Sequence, residues 1–495
     1  MLAAALATLV ASASLGTAII TTDNAALRAA PRDGAQQQAL LHQGEMVEVR
    51  GQRLDYLQVY DHQRERAGYV HASLVQRTAL APAEAPALLT LLRFVRDQPG
   101  REALGLGLAA AWLQAAPAAQ VQSADGIEAL DALGTAADRL ARRATSGRYG
   151  GPGAFPGKAA DTALAAQLDV AGRYGVRFVS YEHDGQMQVC YDGDVFLRLL
   201  GMPSSPGQRA RAALGLTRPE CVDPALQPLA RAQLAEWRAE LLDRVDTAAL
   251  PGWFANQVQM RRASVWSELA WHRARQGHDG AAAMQRALDA LAAVQPAELR
   301  DADRADYNTA AMQTNASRWA AAPAPVAPAA GKRPWLATQP GEPGQTCVLL
   351  LDARHDASRP LARRCTYSTV WLASATLNRE GNALALAVQP LAGWRELWLF
   401  HRSGEGAQAA WALDVLPPAA TAPGTCYAEF AGWVPGGRQL LVAREARGEG
   451  RYRRSFEVIS LDSLATVRRA AEPGALGPFL RWQDPAWKRD TVSLR

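Results

Sequence analysis

Side chains able to do chemistry are few in this sequence, and they are scattered. The eight histidines are His42, His62, His71, His183, His272, His278, His355 and His401. None forms H-E-x-x-H, and no two share a helix face at i, i+4. There is no G-x-S-x-G elbow, no P-loop and no dinucleotide fingerprint. Glu182, His183, Asp184, Asp192 and Asp194 form the densest titratable group. Turn and helix-cap duty accounts for each of them. No catalytic residue, metal ligand or cofactor site is therefore assigned. Five cysteines fall in two regions, Cys190 and Cys221 in one, Cys347, Cys365 and Cys426 in the other. No C-x-x-C occurs, which argues against thioredoxin-type redox work and zinc ribbons. The spacing leaves the pairing open; the expectation is Cys190–Cys221 plus one bridge in the C-terminal trio, with Cys347 and Cys365 as candidates. Trp371, Trp394, Trp398, Trp411 and Trp433 sit in strand-like segments, where aromatics usually fill the sheet core. Trp394, Trp398 and Trp433 are the candidates for stacking on a glycan.

These residues need elements to hold them, and 495 residues exceed one hydrophobic core, so roughly three domains are expected. Apolar residues make up 48% and charged residues 20%, ordinary for a globular chain. Net charge is only +5. Residues 321–495 carry 21 Lys+Arg against 15 Asp+Glu. The arginines at 444, 447, 451, 453 and 454 are interrupted by Glu445, Glu449 and Glu457, so a solvated hairpin is expected there and nucleic acid is excluded as a partner. The first ten residues are apolar and lead to Ala11-Ser12-Ala13 and Gly16-Thr17-Ala18. That pattern reads as a signal peptide over 1–18, although no basic residue precedes it. No later apolar run is long enough to span a bilayer.

Between 18 and 80 the chain reads as short strands. Val47-Glu48-Val49 and Tyr56-Leu57-Gln58-Val59-Tyr60 alternate apolar with polar residues. Residues 84–320 read as mainly helical, with long amphipathic helices at about 224–245, 256–276, 279–294 and 300–320. One β-hairpin near 176–191 turns on Asp184-Gly185. Residues 321–345 begin with a Pro/Ala run that cannot bury a core and read as a linker. From 346 to 495 the period is two. Asn378-Arg-Glu-Gly381 and Trp433-Val-Pro-Gly-Gly437 each feed a strand, and a poorer copy starts at Leu480-Arg-Trp-Gln-Asp-Pro485. Thr491–Leu494 reads as a closing strand.

Two stretches resemble known families. Leu27-Arg28-Ala-Ala-Pro31, Gly44-Glu45-Met-Val47-Glu-Val49, Tyr56-Leu-Gln-Val59 and Gly68-Tyr69-Val70 occur in that order. The series resembles the bacterial Src-homology-3 domain, with Tyr56 where tryptophan is commoner. The resemblance implies a small β-barrel that binds peptidoglycan peptides or proteins, with Tyr56, Tyr60 and Tyr69 as groove candidates. The turn-then-strand copies after 370 are similar to the β-propeller repeat of Tol-type periplasmic proteins. Two or three blades do not close a propeller, so a β-sandwich is an equal expectation.

The sequence thus predicts a multi-domain α+β protein: an SH3-like barrel, a mostly helical middle domain with a hairpin, and a β-rich C-terminal domain. The expected function is that of an exported, periplasmic or secreted, non-catalytic binding or scaffolding protein without cofactor. Its partner would be peptidoglycan or an envelope protein, with no membrane span and the oligomeric state open. The alternative is an envelope enzyme of the peptidoglycan-hydrolase kind that uses the barrel for targeting.

Overall fold

A computed structural model describes residues 16–148, 158–183, 186–323, 325–326, 333–404, 410–418, 424–448 and 451–492. The expected signal peptide lies almost wholly outside these residues, as do the Asp184-Gly185 turn and most of the Pro/Ala run. The chain divides into two compact units, Met1–Leu226 and Gln227–Arg495.

The first unit opens with an antiparallel sheet of β1 (Thr17–Ile20), β2 (Ala25–Arg28), β3 (Gln37–Leu41), β4 (Met46–Arg53), β5 (Tyr56–Asp61), β6 (Arg66–His71) and β7 (Val75–Thr78). The strand order is β3-β2-β6-β5-β4-β1-β7. Alternation decides the faces: Val47, Val49, Leu57, Val59 and Val70 turn inward with Ile20, Leu27 and Leu41. Helices follow at α1 (Ala85–Arg96), α2 (Glu102–Ala115), α3 (Ala124–Arg148) and α4 (Lys158–Arg173). The α2 sequence is apolar on every side, so it is the buried helix of this unit. Its core joins Leu88, Leu92, Leu106, Trp112, Leu133 and Leu140.

The hairpin β8 (Phe178–His183) and β9 (Gln186–Tyr191), then α5 (Asp194–Leu200) and α6 (Pro206–Leu216), complete the unit. Ser205 and Gln208 form a capping box at the start of α6, and Pro206 occupies its first turn. At Gly44 the sheet comes close to the helix backbone. Its φ is +84°, and a Cβ there would stand 2.1 Å from the Ala103 carbonyl oxygen.

The second unit begins with α7 (Pro228–Asp243), α8 (Gly252–Arg275), α9 (Ala281–Ala292) and α10 (Arg304–Ser317). A three-stranded sheet follows, β10 (Trp335–Pro340), β11 (Thr346–Leu351) and β12 (Ala362–Thr366). Residues 335–340 of the expected linker thus form a strand, because Trp335 and Leu336 have apolar neighbours across β11. The larger sheet contains two antiparallel meanders. One is β13 (Thr369–Leu377), β14 (Ala383–Leu391), β15 (Trp394–Ser403) and β16 (Ala410–Leu416). The other is β17 (Cys426–Val434), β18 (Gln439–Gly448), β19 (Arg451–Ser460) and β20 (Thr466–Ala470). A short parallel pairing of β15 with β17 joins them. The Ala-Leu-Ala-Leu run of β14 is covered on both faces. Ala383 and Ala385 pack with Leu397 and Leu399, and Leu384 and Leu386 pack with Trp398 and Phe400.

The Leu480 copy is not a strand turn. It forms α11 (Gly477–Trp482) and α12 (Pro485–Asp490). Proline in the first turn of each helix and the Asp484 cap on Ala486 explain the change. Thr491 and Val492 are not in a strand, and the rest of the expected closing strand lies outside the described residues.

Two disulfides form, Cys190–Cys221 within the first unit and Cys347–Cys365 within the second. The second follows from register, since the two residues are cross-strand partners in β11 and β12. Cys426 is buried and free, and burial pushes its thiol up to about 11. Reduction should therefore destabilise each unit, by about 3–4 kcal/mol from loop-closure entropy over separations of 31 and 18 residues. Denaturant titration with and without reductant measures this. Before reduction, thiol alkylation at neutral pH should modify Cys426 only after unfolding.

Candidate functional site

The tyrosines expected to line a groove lie on one face of the first sheet. Tyr56, Gln58 and Tyr60 share a face of β5, opposite to Leu57 and Val59, which enter the core. Tyr69 on β6 is the cross-strand partner of Gln58 and of Arg28 on β2, so it joins the same face. Tyr60 and Tyr69 are half-buried, whereas Tyr56 is buried.

The surroundings of these rings are polar. The Arg50 guanidinium lies 3.9 Å from the Tyr60 ring centre, and the His62 ring meets Tyr60 edge-on at 4.9 Å. Glu48 accepts from Arg50 at 3.1 Å and contacts His62 at 2.9 Å, and the Arg50 bond leads in holding its carboxyl below the usual range. Tyr56 is held differently. Its hydroxyl donates to Asp33, its ring meets His71 edge-on at 5.1 Å, and the Asp33 bond raises its pKa. Glu45, the acidic residue of the Gly44-Glu45 motif, is engaged inside the unit. Arg64 grips it through two hydrogen bonds of 2.8 and 3.1 Å. Tyr60 and Tyr69 are therefore the half-buried rings of this face, and Tyr56 is its buried one.

Trp394 and Trp398 share the Glu396 carboxylate, which accepts from both indole Nε1 groups, at 3.4 and 3.2 Å, and Trp433 lies apart from them. Trp398 is buried among Leu384, Leu386 and Phe400, so no ring face is free to meet a sugar. Trp433 packs on the other side of the sheet, with Phe430 at 4.9 Å. Trp394 is half-buried, with its Nε1 donating to Glu396 at 3.4 Å. In the acidic group, Asp192 accepts from Arg177 at 2.7 Å and from the Asp194 amide at 3.1 Å, and Asp194 pairs with Arg198. Among the described residues, no three His, Cys, Asp or Glu side chains converge as a metal ion would require. No described helix is long and apolar enough to cross a membrane.

The second unit holds a buried charge cluster with no sequence signature. Glu429 on β17 is 3% exposed and Arg395 on β15 is fully buried. Glu429 accepts from Asn315 at 2.9 Å and from Arg318 through Nε and Nη2. Arg395 stands 3.3 Å from its other oxygen. Burial alone pushes the Glu429 carboxyl up, but Arg318, Arg395 and their hydrogen bonds outweigh it and hold it below the usual range. Burial lowers the Arg395 pKa, against the attraction of Glu429.

No family model, curated protein or solved structure matches this chain. The tyrosine face and the charge cluster thus stand on their geometry alone. Arg318 and Glu429 are 111 positions apart, and no local spacing could have paired them.

Proposed function

We propose that this chain is an exported, non-catalytic binding protein of the bacterial envelope. Its first sheet acts as a Src-homology-3-type barrel module that takes an extended peptide, of peptidoglycan or of a protein partner. The observation that carries this reading is the face shared by Tyr60 and Tyr69, turned away from the core and edged by Arg28, Gln58 and Glu48. Half-buried aromatics beside both signs of charge suit a peptide that offers apolar surface and backbone hydrogen bonds. Disulfides in both units support an oxidising compartment. The four-stranded meanders β13–β16 and β17–β20 support a propeller-like reading of the C-terminal domain, each meander serving as one blade.

The test is co-sedimentation of the intact protein with purified peptidoglycan, alongside the Tyr60→Ala/Tyr69→Ala variant. Wild type should be retained, and the variant should bind at least about tenfold more weakly, as loss of interface aromatics implies. Retention that is the same for both proteins rejects the tyrosine face. No retention of wild type removes the wall-binding version.

A further inference from the structure

One side of the β17–β20 meander is covered by the two short helices that follow it. Leu476, Phe479 and Trp487 pack on Phe456 and Val458 of β19. The Asp484 amide donates to the Ala431 carbonyl at 2.7 Å. Gly432 leaves room for the chain there, since a Cβ on it would stand 2.3 Å from the Trp482 carbonyl oxygen. The inner side of α11 and α12 is thus filled. Their outer side is apolar as well: Leu480 is 64% exposed and Trp482 is 44% exposed, and they flank exposed Arg481. A single exposed apolar residue is ordinary, but a leucine and an indole together on so short a helix form a patch.

The charges around that patch favour one sign. Between Thr466 and Asp490 the cations are Arg468, Arg469, Arg481, Lys488 and Arg489, and the carboxylates are Glu472, Asp484 and Asp490. Every one of these carboxylates is engaged. Glu472 pairs with Arg454, Asp490 pairs with Arg489, and Asp484 caps α12 through the Ala486 amide at 2.7 Å. Arg469 pairs with Glu457. The side chains of Arg468, Arg481 and Lys488 have no hydrogen-bond or ion-pair partner among the described residues, and all three are exposed. Arg468 is the cross-strand partner of Val458, so it lies on the side of the sheet that α11 covers.

Water accounts for the cations but not for the two apolar side chains. Indole and leucine beside arginine and lysine suit the headgroup boundary of a bilayer, where rings enter and cations meet phosphates. No described helix is long and apolar enough to cross a membrane, so the contact is with the surface. We propose that this side of the second unit docks on an anionic phospholipid bilayer. Leu480 and Trp482 enter the headgroup boundary, and Arg468, Arg481 and Lys488 sit on lipid phosphates. This surface is independent of the tyrosine face.

Co-sedimentation of the full-length protein with vesicles tests it. One set contains phosphatidylglycerol and phosphatidylcholine in equal parts, the other phosphatidylcholine alone. The protein should bind the anionic vesicles, and the neutral ones at least about tenfold more weakly. Leu480→Ser/Trp482→Ser and Arg481→Gln/Lys488→Gln should each weaken anionic binding by about tenfold or more. If one of these variants fails to fold by circular dichroism, the other decides. Brominated phospholipid in the anionic vesicles should quench tryptophan emission in wild type, and Trp482→Phe should lose that quenching. No binding to anionic vesicles overturns the proposal. So does equal binding to both sets, anionic binding unchanged in a folded variant, or quenching that persists in Trp482→Phe.

Discussion

Glu429→Gln is expected to lower the stability of the second unit by about 3–5 kcal/mol, the usual cost of leaving buried charge uncompensated. The substitution keeps the shape and removes the carboxylate that Arg318 and Arg395 share. The two guanidiniums then face each other in a place that water does not screen, and Arg395 is fully buried. Arg395→Met in the Glu429→Gln background should recover part of the loss, because it removes the stranded charge. The double-mutant cycle, read by denaturant unfolding, should therefore give a coupling of a few kcal/mol.

The same carboxylate gives a pH signature. Its folded pKa lies below the unfolded value, so its contribution is fully present above the unfolded value of about 4.3. That contribution is lost as the pH falls through the folded value. The gap between wild type and Glu429→Gln should be full at pH 7 and should close in acid.

Gly44→Ala should cost the first unit at least about 3 kcal/mol. Two separate effects add. A left-handed φ of +84° strains any residue with a Cβ, by about 1–2 kcal/mol. The new methyl would also overlap the Ala103 carbonyl of α2, a backbone atom that cannot rotate away, and forced overpacking costs about 1–3 kcal/mol more. From the helix side the approach is equally tight, since a Cβ on Gly107 would stand 2.6 Å from the Gly44 carbonyl oxygen. Gly100→Ala is the control. It has φ +82° but no neighbour within 4 Å of its Cβ, so it should lose only the conformational part, about 1–2 kcal/mol. Thermal or denaturant unfolding of the three proteins separates the two contributions.

Where a local rule sets the structure, the sequence was legible. Alternation in Val47–Val49 and Tyr56–Tyr60 marks the strands β4 and β5. Asn378–Gly381 and Pro435–Gly437 marked the turns before β14 and β18. The hairpin register of β11 and β12 explains why Cys365, rather than Cys426, pairs with Cys347. The Leu480 segment carries a Trp-x-x-Pro pattern like that of a strand turn, but Asp484 before Pro485 starts a helix. The charge cluster was illegible for a different reason. Arg318, Arg395 and Glu429 come from a helix end and two strands, and only the tertiary fold brings them within hydrogen-bonding range. Gly44 belongs to a legible motif, but its close approach to Gly107 on α2 depends on packing that no spacing encodes.

Whether the protein binds or cleaves is the most direct question. Purified peptidoglycan sacculi incubated with the intact protein can be followed for two quantities at once, protein retained on the pellet and muropeptides released to the supernatant. A binding protein predicts saturable retention, weakened by Tyr60→Ala/Tyr69→Ala, with release no greater than in the protein-free control. Muropeptide release that grows with time and with protein concentration would contradict it.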